Sequence, residues 1–207
     1  MHLHVYLTMN TKKIFNRTLA VLILFSSITA YAAVAHSWKI DKTHTGINFS
    51  INHFFSAVTG NFKEYSGTIS FDPDNLEGSS VSFTIPVTSV NTSDAKRDKH
   101  LQSADFFNAK KFPNITFTSD KFLMKDGKLN VLGDLTIRDV TKKVAFPIEI
   151  KGRMDHPFMK NSELLGIAIN TKINRTSFGV GTGSWAATSV VGEDVLISIN
   201  MELTRKK

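Results

Sequence analysis

The chain has 207 residues, no cysteine and a formal net charge of +7 at pH 7. The absence of cysteine excludes disulfides, thiol catalysis, thiolate metal sites and acylation at a lipoprotein cysteine. Basic residues are scattered, apart from a C-terminal TRKK cluster that we expect to be solvated. Because no basic stripe is interleaved with aromatic residues, the sequence indicates no nucleic-acid partner.

Residues 1–32 have the form of a secretory signal peptide. Lys12, Lys13 and Arg17 precede an apolar run over 18–28, which is too short to span a bilayer comfortably. The leader holds three of the 25 basic residues and none of the 18 acidic ones, so the mature charge is +4. An uncleaved membrane anchor is the alternative.

Two small-residue motifs predict cleavage after Ala32 or after Ala35, and the sequence does not choose between them. The remaining residues, 33–207, contain neither an internal repeat nor a low-complexity linker, so we predict a single domain. We expect a periplasmic protein, with secretion as the alternative.

From Trp38 onward, apolar and polar residues alternate with a period of two. Ile47, Phe49 and Ile51 share one face of the first such segment, and nine or ten segments follow this pattern. Strict alternation predicts half-buried antiparallel strands, which suit either a sandwich or a closed barrel. Pro86 and Pro147 lie inside strand patterns and predict edges, bulges or strand ends there.

The segment 94–107 interrupts this pattern with a short helical piece. Asp94 can cap the start of a helix through its carboxylate, and Ser103 can cap a second turn. Apolar residues would dock the segment onto the sheet: Ala95, Leu101, Phe106, Phe107 and Phe112. A solvated surface connector is the alternative that the pattern leaves open.

An ordered set of motifs resembles the YceI-like family over essentially the whole mature chain. The motif segments are WKIDKTHTGINFSINH, VTGNFKEYSGTISFD, GDLTIRDVTKKV and INRTSFGV, together with the succession Arg97, Asp98, His100, Leu101, Asp105, Phe106, Phe107, Phe112 and Pro113. The resemblance implies an all-β fold, an extended antiparallel lipocalin-like barrel of about eight main strands with the helical insertion at 94–107. It also implies that the lumen holds a long apolar ligand, a polyisoprenoid or quinone-like lipid.

Four positions depart from the family's usual pattern. Thr45 and Thr176 each replace a serine, Gln102 replaces an arginine, and Ser177 replaces an aspartate. One cation and one anion are therefore missing. If the two pair in relatives, their joint absence is neutral, whereas if they contact a ligand head group, the preferred head group differs here.

The apolar faces of the strands supply the predicted ligand-binding lining of a lumen. Its members are Ile47, Phe49, Ile51, Ile69, Phe71, Val81, Phe83, Ile85, Phe117, Leu135, Ile137, Phe146, Ile148, Ile167, Ile169, Ile197 and Ile199. Burying a methylene of a lipid tail against such residues contributes about 0.8 kcal/mol. The pattern alone equally allows these side chains to close on one another as an ordinary core.

A second group of polar residues either binds a ligand head group or fixes the insertion against the barrel: His44, His53, Arg97, Asp98, His100, Asp105 and Arg175. His53 falls on an apolar face, where a hydrogen-bonded core histidine is the simpler interpretation. No two histidines beyond the leader have HxH or HExxH spacing, so we predict no metal site. The glycine-rich stretch 179–185 is expected to be a loop near the barrel mouth.

The sequence thus predicts a binding protein that requires no cofactor and encloses a lipid, its small-molecule partner, for transport, storage or sequestration. No nucleophile elbow, phosphate loop or ordered nucleophile and base is present, so we predict no enzyme. An envelope interaction module with a filled barrel, and an enzyme acting on a lipid head group, are the alternatives. Transient membrane contact and a homodimer stay open.

Overall fold

The computed structural model describes residues 35–207, so the predicted leader lies outside the described residues. The described part forms one antiparallel sheet, whose strands are β1 (Ser37–Ile40), β2 (Gly46–His53), β3 (Ser56–Phe62), β4 (Ser66–Ser70), β5 (Ser80–Pro86), β6 (Val90–Asn91), β7 (Asn114–Lys125), β8 (Lys128–Ile137), β9 (Val140–Asp155), β10 (Ser162–Asn174) and β11 (Val191–Lys206). The helix α1 (Ala95–Leu101) lies between β6 and β7, and short 3-10 turns lie at Val87–Ser89, Thr176–Phe178 and Gly183–Ala186. Within this range no helix is long and apolar enough to cross a bilayer.

The sheet closes into a barrel of eight main strands because three pairs of short strands run end to end. β1 and β2 lie end to end along β11. β4 pairs with β1, and β3 pairs with β2. In the next position, β5 pairs with β4, and β6 pairs with β3. The other main strands, from β7 to β11, are single. Since β1 pairs with both β4 and β11, the ring is complete. The predicted antiparallel barrel is confirmed. The predicted count of nine or ten strands is lower than the eleven observed, because breaks divide three of the eight main strands into two strands each.

Antiparallel order places alternate connections at opposite ends of the barrel. The helix end carries the β2–β3 hairpin, the insertion at 92–113, the β8–β9 turn and the β10–β11 loop. The terminal end carries the start of β1, the loop at 71–79, the β7–β8 and β9–β10 turns and the end of β11. The glycine-rich stretch 179–185 therefore belongs to a loop of the helix end.

The two prolines mark irregular positions, as predicted. Pro86 ends β5 where a 3-10 turn begins. Pro147 lies in a part of β9 that has only β8 as a neighbour, because pairing with β10 stops at Ala168 and Glu149. A gap therefore separates β9 from β10 toward the helix end, between 140–148 and 169–174.

The insertion begins as predicted and then departs from the prediction. The Asp94 carboxylate accepts hydrogen bonds from the backbone N–H groups of Lys96 and Arg97, both at 3.0 Å, which caps α1. The predicted capping by Ser103 is wrong, because its buried hydroxyl has no hydrogen-bond partner in the described part of the chain. Turns held by backbone bonds to the Ser103 carbonyl replace the second helical turn.

Candidate functional site

An apolar cavity runs inside the barrel. Its volume is about 260 Å³, counted as space open to the centre of a water molecule, whereas one buried water needs only about 10–15 Å³ of such space. Its wall on β11 runs from Val191 to Leu203, which at about 3.3 Å per residue is about 40 Å along a tilted strand. The cavity is thus long and narrow.

All of the residues predicted to line a lumen lie on the wall of this cavity. They lie there because each main strand presents one parity inward, as the alternation requires. Their contact with a lipid stays a prediction. The interpretation of these side chains as a fully packed core does not fit, since a well-packed interior contains few voids larger than a water molecule.

Sequence reasoning missed several wall residues: Phe62, Leu101, Phe106, Phe107, Ile115, Phe122, Val131, Ile173, Val180, Val191, Val195, Met201 and Leu203. Val131 shares parity with Leu135 on β8, so the signal for it was present. Phe122 shows why parity fails elsewhere. A β-bulge between Ser119 and Lys121 shifts the register, which turns Phe122 inward although Phe117 also points inward.

The predicted polar group divides into separate contacts. Arg97 and Asp98 both bind Thr92, a buried residue just before α1. The Arg97 Nε donates to the Thr92 hydroxyl at 2.7 Å, and that hydroxyl donates to Asp98 at 2.6 Å. The Asp98 carboxylate also accepts the Thr92 backbone N–H at 2.8 Å. Neither Arg97 nor Asp98 lies on the cavity wall. This network therefore fastens α1 to the chain just after β6.

Replacing Thr92 with valine is expected to lower the free energy of unfolding by about 1–3 kcal/mol. The change keeps the shape of the side chain but removes the hydroxyl that links Arg97 to Asp98, which leaves polar groups partly unsatisfied. Chemical denaturation measures the loss. Thr116→Val on the cavity wall, whose hydroxyl forms no side-chain bond in the described residues, is the control and should change stability little; an equal loss in both variants would contradict the network's role.

His100 and Asp105 form a second contact, at the helix end. The His100 Nε2 lies 3.1 Å from Asp105 Oδ2, and its ring meets the rings of Phe106 and Trp185 edge-on, each with centroids at 5.1 Å. The Asp105 carbonyl accepts the backbone N–H of Thr182 at 2.8 Å. The insertion and the β10–β11 loop are therefore joined through this pair and cover the barrel end together.

Among the described residues of the cavity wall, Arg175 is the one that carries a charge, and its guanidinium is already engaged. It is 4% exposed and donates to the carbonyls of Val180, Val191 and Gly192 at 2.7, 2.6 and 2.8 Å. Burial lowers the pKa of Arg175, and the charge of Glu193 opposes that shift. Arg175 thus holds the β10–β11 loop against the start of β11, and the remaining wall offers a ligand almost entirely hydrocarbon.

Neither of the two remaining histidines of the polar group lies on the cavity wall. His53 is exposed at the end of β2, so its interpretation as a core residue is wrong. His44 precedes β2, in the break between β1 and β2, and binds Asp41 through Nδ1 at 2.8 Å. The hydrogen bond and charge of Asp41 raise the pKa of His44.

Glu202 joins His44 and Asp41, and one ligand atom from each of the three lies within 4.8 Å of the others. Side chains of these types can hold a metal ion. The prediction of no metal site, made from local histidine spacing, could not detect this group because β11 brings Glu202 alongside from 157 residues beyond Thr45.

The terminal end of the barrel is closed by a buried ion network. Glu163 is 7% exposed and accepts hydrogen bonds from Arg153 at 2.7 Å and Arg205 at 2.6 Å. The Arg205 guanidinium also lies over the ring of Trp38, 5.2 Å from its centroid. Arg153 reaches Asp74 in the loop above. The expectation of a solvated C-terminal cluster is therefore wrong for Arg205.

The sequence profile of the YceI-like domain matches residues 38–203, which is nearly the whole barrel. The chain belongs to the YceI-like family. Protein YceI of Escherichia coli O157:H7 is 41% identical over 175 residues, covering 83% of this chain and 89% of that protein.

Two solved structures place this YceI-like barrel among known folds. The YceI protein of Campylobacter jejuni is 37% identical, with a TM-score of 0.65 over 82% of this chain and 98% of that one. A polyisoprenoid binding domain from Saccharophagus degradans has a TM-score of 0.59 over 83% of this chain and 98% of that one. Its 14% identity makes that likeness one of fold alone.

Proposed function

We propose that this YceI-like protein is a periplasmic carrier that encloses a long apolar lipid, an isoprenoid or quinone-type molecule, inside its barrel. The observation that carries the proposal is the long hydrocarbon-lined cavity. A void of this size loses dispersion contacts and stability unless something fills it, and apolar cavities exclude water. A flexible hydrocarbon chain is the chemical match for a narrow apolar channel.

The polar groups of the wall do not select a charged ligand. Thr116 and Arg175 are its polar members, and the Arg175 guanidinium binds backbone carbonyls. Affinity therefore comes from the tail, at about 0.8 kcal/mol per buried methylene. The head group would lie at the helix end, near His100 and Asp105. The name of the Saccharophagus degradans domain adds support for a polyisoprenoid tail, and no catalytic step is part of the proposal.

Filling the cavity is expected to displace the lipid. Ile199 faces the cavity from the middle of β11, and the Ile199→Trp variant would occupy space that a tail needs. The neighbouring Ser198→Trp variant, on the outward parity of the same strand, is the matched control. Gentle purification, organic extraction and mass spectrometry should recover at least fivefold less lipid from Ile199→Trp than from Ser198→Trp.

Two outcomes would contradict the proposal. One is a parent protein that is consistently empty and takes up neither polyprenyl nor quinone lipids when they are added. The other is equal lipid content in the two tryptophan variants, which would place bound lipid outside the barrel. Export is tested separately, by fractionating cells that express the full chain and detecting it in the periplasmic fraction.

A further inference from the structure

The β2–β3 hairpin turns through two residues that suit its geometry poorly. His53 pairs with Ser56, so Phe54 and Phe55 alone make the turn. Phe54 has a φ of 51°, in the left-handed region that two-residue hairpins usually fill with Asn, Asp or Gly. An aromatic side chain at this position gains nothing from the backbone, so the turn itself does not explain its presence.

Both rings are also exposed. Phe55 is 104% exposed, and Phe54 is 56% exposed and meets only the ring of His53 edge-on, with centroids at 4.7 Å in the described part of the chain. The backbone N–H of Phe54 donates to the Val190 carbonyl at 2.9 Å, which joins the tip of the hairpin to the β10–β11 loop. Positions that violate a turn preference and a burial preference together are expected at functional sites.

The insertion at the same end of the barrel presents positive charge outward. The segment 94–112 contains five lysine or arginine residues and three acidic residues. The acidic ones are engaged internally: Asp94 caps α1, Asp98 binds Thr92 and Asp105 binds His100. The exposed lysines form no ion pair within the described residues: Lys96, Lys99, Lys110 and Lys111.

We propose that the helix end docks on an anionic lipid bilayer, with Phe54 and Phe55 entering the interface and the lysines of the insertion meeting lipid phosphates. Aromatic rings prefer the boundary between headgroups and acyl chains, and clustered lysines are attracted to anionic leaflets. The inference rests on the proposed function, since a lipid carrier must meet the membrane that supplies or receives its cargo. The gap between β9 and β10 opens toward this same end.

The terminal end provides an internal comparison. Phe158 is 91% exposed there, in the β9–β10 turn. Its backbone is not in the left-handed region, and the barrel beneath it is closed by Glu163 and its two arginines. Phe158 therefore matches Phe55 in residue type and exposure but lies at the end where no cargo would leave.

Co-sedimentation with vesicles of phosphatidylethanolamine and phosphatidylglycerol tests the docking. We expect the full mature protein to bind these vesicles, to bind phosphatidylcholine vesicles more weakly, and to be released by high salt. The vesicle-bound fraction of the double variant Phe54→Ser, Phe55→Ser should be at least fivefold lower than that of the parent. The bound fraction of Phe158→Ser should equal that of the parent. The double variant Lys96→Glu, Lys99→Glu should lose binding to anionic vesicles.

Equal binding of the parent and the Phe54→Ser, Phe55→Ser variant would overturn the inference. An equal loss in Phe158→Ser, or a change in oligomeric state measured by ultracentrifugation of the hairpin variant, would overturn it as well, since the exposed rings would then serve nonspecific contact or self-association. Extraction of lipid from the same samples separates the two proposals. A hairpin variant that retains its lipid but ignores vesicles supports docking, whereas a parent that binds vesicles but never holds lipid contradicts only the carrier function.

Discussion

Replacing Glu163 with glutamine is expected to lower the free energy of unfolding by about 3 kcal/mol, because breaking a buried ion pair leaves charge without compensation. Glu163 is the acceptor shared by Arg153 and Arg205 at the terminal end. Its removal leaves Arg205, whose side chain is 11% exposed, without a carboxylate. For a domain of this size the loss corresponds to a melting temperature lower by about 6–12 °C.

An exposed pair on the same sheet supplies the control. Glu149 binds Lys151 at 2.8 Å, but both side chains are more than half exposed. Glu149→Gln should therefore change stability by less than about 0.5 kcal/mol. Similar losses for Glu163→Gln and Glu149→Gln would mean that the terminal network adds no more than a surface pair.

The effect of Glu163 also has a predictable pH dependence. Burial raises the pKa of Glu163, but the hydrogen bonds and charges of Arg153 and Arg205 outweigh that and hold it below its ordinary value of 4.5. A carboxyl group whose pKa is lower in the folded state stabilises that state above its unfolded pKa. The difference between parent and Glu163→Gln should be complete above about pH 4.5 and should narrow as the pH falls through the folded value.

These contacts give the two ends of the barrel different characters. At the terminal end, Glu163 joins β10 to β9 and β11, and the Trp38 indole donates to the Phe71 carbonyl at 2.7 Å. At the helix end, α1 has no buried residue, whereas Phe106 and Phe178 beside it are buried and the β10–β11 loop is held by side-chain bonds to backbone. Local opening requires the fewest broken contacts where burial is least. We therefore expect α1 to open first, which under the proposed function would let a lipid pass at the helix end.

The residues that point into the barrel were predictable because alternate residues of a strand lie on the same face of the sheet. Ile47, Ile199 and Phe117 follow directly from alternation. Closure itself was not predictable from alternation, since a sandwich has the same pattern. The prediction of a closed barrel came from the family resemblance, and the structure confirms it.

The polar contacts were harder to predict because they join residues far apart in sequence. Glu163 meets Arg205 only because β10 and β11 pair in a continuous register, and it meets Arg153 only because β9 pairs on the other side of β10. His53 shows the converse error. Its parity is that of the lumen and its register partner Val191 lies on the cavity wall, but His53 ends β2 beside the turn and its side chain is exposed.

Replacing Gly181 with alanine is expected to disrupt the helix end and to lower the free energy of unfolding by at least as much as Glu163→Gln does. A Cβ at this position would lie 2.1 Å from Arg175 Nη1 and 3.0 Å from the Trp185 carbonyl. The guanidinium would have to move, which breaks its bonds to Val180, Val191 and Gly192. Each buried carbonyl left unsatisfied costs about 1–3 kcal/mol, so we expect a total loss of about 3 kcal/mol or more.

The control for this variant is two residues away in the same loop. Gly179 also has a positive φ, 66°, but a Cβ there would meet nothing within 4 Å. Gly179→Ala therefore measures the cost of the left-handed backbone alone, about 1–2 kcal/mol. Hydrogen exchange should rise through 176–190 in Gly181→Ala well beyond its rise in Gly179→Ala. Equal effects would show that backbone strain, and not the position of Arg175, governs the loop, and the arginine would then have no part in holding the cover over the cavity.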